Sequence, residues 1–307
     1  MDKIIIGTRG SKLALWQAYW IKDQLKAQGV GSEIKTIETK GDKILDTTIA
    51  KIGSKGVFTE EIEDQLKEGT IDIAVHSAKD LQSSLPEGFE IIAFTSRELT
   101  PDVLISHKKI DVNQPLLVGT SSTRRIAFLN QMYPHFSHTS VRGNLQTRIR
   151  KMEEGACDAL LLAYAGVHRM GYNDKIVHTF DDADWISPVG QGSVAIEVYA
   201  SLSKEKREMV RNACNDTNTE LCLLAERAYL KELEGGCSIP VFARAAMDQN
   251  IITLEGGVVS LDGEERVDYA IQGAPSLAAE LGKKMAEVVM SSGGKEILEE
   301  IKRSINN

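Results

Sequence analysis

Three short apolar runs in this chain each break off into a polar turn. Ile4-Ile5-Ile6 precedes Gly7-Thr8-Arg9-Gly10-Ser11, Ile71 to Val75 precedes His76-Ser77-Ala78-Lys79-Asp80, and Leu116-Leu117-Val118 precedes Gly119-Thr120-Ser121-Ser122-Thr123-Arg124-Arg125. Apolar runs of this length, bounded by turns and alternating with helical patterns, are buried strands of an α/β sheet. The first leads into a helix with Leu13, Trp16, Trp20, Ile21 and Leu25 on one face, ending near Gly29. The arrangement also limits where chemistry can sit, because ligands bind at the carboxyl ends of such strands.

Each turn carries groups suited to an anion. Arg9 and Ser11 stand where a strand meets a helix N-terminus, a ready anion site; an N-cap serine beside a surface arginine reads equally well. Lys79 and Asp80 offer a cation for substrate and a carboxylate for proton or cation chemistry, or a solvated ion pair. Thr120, Ser121 and Ser122 with Arg124 and Arg125 form a carboxylate or phosphate cradle. Two arginines in a first helical turn oppose the helix dipole, and an anionic ligand would resolve the conflict. The pattern recurs at Val141-Arg142-Gly143-Asn144, before a helix with Leu145, Arg148, Ile149 and Met152 that stops at Gly155. Ser187 to Gly192, with Gln191 in it, reads as a tight loop.

Between these stretches, Glu33 to Thr39, Ile91 to Phe94, Val103 to Ser106, Ala159 to Ala163 and Val194 to Val198 read as strands. Pro101 suggests a crossing point between domains. Lys40 to Gly56 is long and polar, as functional lids are. The helix after it presents Phe58, Ile62 and Leu66, with Thr59 as a cap. A strong amphipathic helix starts at Thr217 and carries Leu221, Leu224, Ala225, Ala228 and Tyr229. Beyond it the pattern changes. Strands Val241 to Ala246 and Ile251 to Ser260 are joined by Asp248-Gln249-Asn250, and Leu261-Asp262-Gly263-Glu264 turns into Arg266 to Gln272. Helices over roughly 276–291 and 294–301 close a small α+β domain, an antiparallel sheet with helices on one face.

The long helix stops at Gly235-Gly236, where glycine permits a left-handed turn, and Pro240 prevents a restart. Cys237 therefore lies on a tightly turned loop, either as a small buried thiol or as one held out for covalent chemistry. Cysteines 157, 214, 222 and 237 show no Cys-x-x-Cys spacing and no histidine at metal spacing, so a reduced cytoplasmic protein without disulfides or a metal is expected. The formal net charge of −8 argues against nucleic acid as a partner. No apolar run approaches the length of a membrane span.

Taken in order, Gly7 to Ser11 with Leu13-Ala14-Leu15-Trp16-Gln17, Lys40-Gly41-Asp42, Gly56-Val57-Phe58-Thr59, His76 to Asp80, Gly119 to Arg125, Val141 to Asn144 with Thr147-Arg148, Gly190-Gln191-Gly192 and Glu234-Gly235-Gly236-Cys237-Ser238-Ile239-Pro240 closely resemble the porphobilinogen deaminase family. The resemblance spans essentially the whole chain. It departs at Ala78, where the family has methionine, at Gln82, where it has proline, and over Arg97 to Asp102.

The resemblance implies two periplasmic-binding-protein-like (type II) α/β lobes and a small α+β C-terminal domain. Domain 1 would be 1–95 with 193–213, domain 2 96–192 and domain 3 214–307. It implies a dipyrromethane cofactor made from porphobilinogen and held by a thioether to Cys237, onto which four porphobilinogen units are added with loss of ammonia. Asp80 matches the catalytic aspartate. Ser11, Lys79, Thr120, Ser121, Ser122, Arg124, Arg125, Arg142, Gly143 and Asn144 match cofactor-binding positions. Arg9, Gln17, Phe58, Arg148, Arg169 and Gln191 match substrate-binding ones. Arginine forks suit the many carboxylates of such a chain. The family also implies a monomer. The rival readings are a non-catalytic two-lobed protein that closes on a small anion, and a thiol enzyme with His76 as the nearest base.

Overall fold

A computed structural model describes residues 3–43, 59–236 and 239–306. Its first strands are β1 (Ile4–Arg9), β2 (Ser32–Ile37), β3 (Ile73–Ser77), β4 (Phe89–Phe94), β5 (Asp102–Ile105), β6 (Leu117–Gly119), β7 (Ser137–Thr139), β8 (Ala159–Ala163) and β9 (Ile176–Thr179). Then come β10 (Val194–Tyr199), β11 (Val241–Asp248), β12 (Ile251–Val259) and β13 (Arg266–Gly273). The chain divides into two compact units, Met1–Glu98 with Gly192–Leu221, and Leu99–Gln191 with Cys222–Asn307.

The first unit holds a five-stranded sheet in the order β2-β1-β3-β10-β4. β1 runs parallel to β2 and β3, and β10 runs antiparallel to β3 and β4. The second unit repeats the scheme as β7-β6-β8-β5-β9, with β6 parallel to β7 and β8 and β5 antiparallel to β8 and β9. In each sheet the antiparallel strand in fourth place is the one at a crossing: β5 follows the chain's exit from the first unit, and β10 its return. Each of these two sheets, with the helices packed on it, is thus an α/β lobe.

Alternation along the strands assigns the two faces of the first sheet. Ile73 and Val75 of β3 and Val194, Ile196 and Val198 of β10 pack with Ala18, Ile21 and Leu25 of the helix Lys12–Ala27 and with Val210 of the helix Lys204–Cys214. Ala74 takes the other face, under Ile62 and Leu66 of the helix Glu60–Lys67. In the second lobe, Leu104, Val118, Phe128 and Trp185 form one core, and Val103, Ile149, Met152 and Leu160 another.

The third sheet, β11-β12-β13, is antiparallel throughout. The helix Ala278–Val289 packs on it and is followed by Lys295–Asn306. Gln249 and Asn250 both take positive φ, which turns β11 tightly into β12. The helix Thr217–Glu232 ends differently from the sequence reading. Glu234, not a glycine, is the left-handed residue, at φ 49°. Gly235 N donates to Leu230 O at 3.0 Å, closing the helix end. A Cβ at 235 would lie 2.5 Å from Leu230 Cδ1, so a larger residue there must displace the end of that side chain. Thr59 occupies the expected cap position but makes no capping bond. Lys40–Lys43 form a short helical turn, and the rest of the expected lid lies outside the described residues.

Candidate active site

In the first unit the candidate residues gather at the carboxyl ends of β1 and β3. Ser11 caps the helix Lys12–Ala27, its Oγ accepting from Ala14 N at 3.2 Å; Arg9 beside it is half-buried. β3 ends in Ser77 and runs into a single 3-10 turn, Ala78–Asp80. Ala78 is buried, Lys79 half-buried and Asp80 exposed, so the turn is anchored at its root and presents the carboxylate to solvent. Two bonds hold it. Ala78 N donates to Ser193 O at 3.0 Å, and Gln17 Nε2 donates to Ser77 Oγ at 2.9 Å. Gln17 is 2 % exposed, so its amide nitrogen braces the strand that carries Asp80.

In the second unit the candidates collect around the ends of β6 and β7. Thr120 is buried, and its Oγ1 accepts from Ser122 N at 3.3 Å. Ser121 Oγ lies 2.8 Å from Ser140 Oγ. Ser122 starts the helix Thr123–Met132 without a side-chain capping bond. Gly143 has φ 119°, and a Cβ there would meet Thr147 Cγ2 at 2.7 Å, which fixes glycine on both counts. Asn144 caps the helix Leu145–Glu153 through Thr147 N at 2.9 Å. Arg148 Nε donates to Gly143 O at 2.7 Å. Arg142 and Arg148 are half-buried beside that turn, as is Arg169 at the end of the helix Tyr164–Arg169.

Arg124 and Arg125 lie deeper. The sequence puts both forks on a ligand carboxylate; the fold turns them onto Asp102, which is fully buried at the start of β5. Asp102 accepts from Arg124 Nη2 at 2.5 Å and from Arg125 Nε and Nη2 at 3.1 and 2.6 Å. Trp185 Nε1 at 2.9 Å and Gln191 Nε2 at 3.0 Å complete its shell. Arg124 Nη1 also bonds Ile186 O, and Arg125 Nη1 bonds Leu161 O. Burial alone would raise the Asp102 pKa, but the charges of Arg125 and Arg124 and the bonds from Arg125 and Trp185 hold it well below the usual carboxylate range. One carboxylate neutralises one of two guanidiniums, so the buried cluster keeps a net positive charge. Among the described residues Arg124 Nε is buried without a partner, and so is the hydroxyl of Ser187, next to Ile186. A buried unpaired donor is costly, and both atoms suit an anionic oxygen.

Gln191 is also buried and donates to Thr100 O at 2.6 Å. Its neighbour Gly190 donates its N–H to Glu226 Oε2 at 2.8 Å, while Glu226 Oε1 accepts from Ala245 N at 2.7 Å. Cys237 and Phe58 lie outside the described residues. Cys157, Cys214 and Cys222 are buried thiols outside any disulfide. His76, the base that a thiol enzyme would want, is buried against Glu197.

Residues 4–207 match the family model described as porphobilinogen deaminase, dipyrromethane cofactor binding domain, and residues 220–291 match the model of the same enzyme's C-terminal domain. This chain belongs to the porphobilinogen deaminase family. It is 52 % identical over 305 residues to the porphobilinogen deaminase of Desulfosudis oleivorans, covering 98 % of each chain. It is 53 % identical over 310 residues to that of Cytophaga hutchinsonii, covering 100 % of this chain and 99 % of that one. The porphobilinogen deaminase of Carboxydothermus hydrogenoformans is 43 % identical, with 99 % of each chain covered. The domain matched by 4–207 is the one that holds the family's dipyrromethane.

Asp102, Trp185, Glu63 and Glu197 escaped the sequence reading. An acid opening the otherwise apolar strand Asp102-Val103-Leu104-Ile105 was the available signal for the first. Glu197, inside the apolar run of β10, was the other.

Proposed function

We propose that the chain joins four porphobilinogen molecules head to tail onto a covalent dipyrromethane, releases ammonia at each step, and frees the linear tetrapyrrole hydroxymethylbilane. The observation that carries this reading is the end-to-end match to porphobilinogen deaminases at 52–53 % identity. We take the chain to act as a monomer in the cytoplasm, in three domains over 1–95 with 193–213, 96–192 and 214–307. Among the described residues no helix is long and apolar enough to cross a membrane.

The dipyrromethane, when bound, supplies the pyrrole carbon to which the incoming units are joined. Its carboxylates suit the buried positive cluster of Arg124 and Arg125, where Arg124 Nε has no partner among the described residues, and Thr120, Ser121, Ser122, Arg142, Gly143 and Asn144 complete the anion-binding set of the second unit. Cys237 is the covalent anchor. It holds the growing chain and is not regenerated at each turnover. Ser11 and Lys79 extend the anion-binding set in the first unit. Arg9, Phe58, Arg148 and Arg169 receive the substrate, while the buried Gln17 and Gln191 brace β3 and Asp102 from behind.

Asp80 carries the chemistry. Its exposed carboxylate on a turn anchored at Ala78 and Ser77 accepts pyrrole N–H groups, opposes the positive charge that develops as ammonia leaves, and relays the proton lost from the attacked ring. The test is to incubate the purified chain with porphobilinogen and measure ammonia and linear tetrapyrrole together. Four ammonia per tetrapyrrole supports the reading. Saturable binding without ammonia release would make the chain a binding protein.

A further inference from the structure

The first lobe contains a second group of ionisable side chains that the reaction does not use. His76 Nε2 lies 3.1 Å from Glu197 Oε2, with the side chains 6 % and 0 % exposed. By strand alternation both point to the sheet face covered by the helix Glu60–Lys67. That helix packs on β3 and β10 and contributes Glu63, 8 % exposed. Neither oxygen of Glu197, nor Glu63 Oε1, has a hydrogen-bond donor among the described residues.

Such a cluster is expensive unless its charges cancel. The imidazole and the two carboxylates are therefore held as one unit, each depending on the others. Glu63 is the one pushed up, by burial first, with the Thr59 hydroxyl and His76 opposing and the charges of Glu197 and Asp64 adding. On β3 His76 is the titratable residue, and on β10 Glu197 and Tyr199 are.

The cluster sits at the root of the reactive turn. His76 lies opposite Ala195 in the β3–β10 ladder, and two residues on, Ala78 N is bonded to Ser193 O. Lys79 and Asp80 follow directly. A shift of β3 against β10 therefore moves the Asp80 carboxylate with it. We propose that His76, Glu197 and Glu63 act as one positioning cluster that fixes the turn carrying Lys79 and Asp80 for catalysis. The inference rests on Asp80 as the reacting carboxylate.

The test measures kcat and KM for porphobilinogen on cofactor-loaded Glu197→Gln, Glu63→Ala and Glu63→Gln, with Asp80→Asn alongside. Displacing a reacting group by about 1 Å can cost about a hundredfold in rate, and a smaller displacement about tenfold. Glu197→Gln and Glu63→Ala should lose that much kcat, with KM and the mass of the attached cofactor unchanged, and Glu63→Gln should recover most of the loss. Folded, loaded Glu197→Gln with wild-type kcat overturns the inference. So does equal kcat for Glu63→Ala and Glu63→Gln, a comparison that stands even where Glu197→Gln does not fold. Full activity in Asp80→Asn would instead sink the assignment of Asp80, whatever the cluster variants do.

Discussion

Arg124 binds Asp102 at 2.5 Å through Nη2 and keeps Nε buried without a partner among the described residues. The pair explains why two arginines tolerate the first turn of the helix Thr123–Met132 against its dipole. Asp102 supplies one counter-charge from inside the lobe; under the proposed function a carboxylate of the dipyrromethane would supply the other. The bonds to Ile186 O and Leu161 O lock the forks before any ligand arrives, so little ordering is left to occur on binding.

Asp102→Asn keeps the shape and leaves two buried guanidiniums without a counter-charge. Breaking a buried pair in this way costs about 3–5 kcal/mol. Denaturant unfolding of wild type and variant at neutral pH should show that difference. A difference near zero would mean that Asp102 does not hold the cluster.

The same pair sets a pH dependence. A carboxylate whose folded pKa is depressed contributes stability that is present above its unfolded value and lost as pH falls through the folded one. The stability gap between wild type and Asp102→Asn should therefore be constant at neutral pH and shrink in acid, below the usual carboxylate range. A gap that instead narrows between pH 7 and 9 would contradict this assignment.

Asp80→Asn should retain its cofactor and lose turnover. Removing a preorganised electrostatic partner of a developing charge costs about a hundredfold to a thousandfold in kcat. Intact mass and a tetrapyrrole assay on the same sample separate attachment from catalysis, and an active Asp80→Asn enzyme would end the mechanistic reading.

The buried thiols should be inert. Burial pushes Cys157 up to about 11 and Cys214 up to about 12, and thiolate is the reactive form. Native protein treated with iodoacetamide at pH 8 should show neither residue labelled, and both should label after unfolding. Native labelling of Cys214 would mean that its side of the lobe opens.

Gly282 marks a close helix contact. A Cβ there would lie 2.2 Å from Ala225 O and 2.8 Å from Tyr229 N. Gly282→Ala must push the helix Ala278–Val289 off Thr217–Glu232, at about 1–3 kcal/mol. Thermal unfolding reads the loss, and an unshifted midpoint would show that the helices can part without cost.

Much of this was legible in the sequence because it is local. Apolar runs ending in Gly7, His76 and Gly119 marked the strands β1, β3 and β6, and the turns after them carry the candidate site residues. Ser11 and Asn144 cap their helices as their positions suggested. What stayed hidden depends on distant partners. Asp102 meets Arg124, Arg125 and Trp185 across 22 to 83 residues of chain, and no local pattern encodes that. β7 and β9 are short and carry Ser137, His138, His178 and Thr179, so they lack an apolar signature. Glu234 takes the left-handed conformation although glycine follows it, so the turn lies one residue earlier than the glycines suggest.

The most direct test of the central claim is the intact mass of the denatured chain beside that of Cys237→Ser, both made in cells that synthesise porphobilinogen. The account predicts an excess equal to two linked pyrrole units on the wild type and none on the variant. A bare wild-type chain, or the same excess on Cys237→Ser, would contradict it.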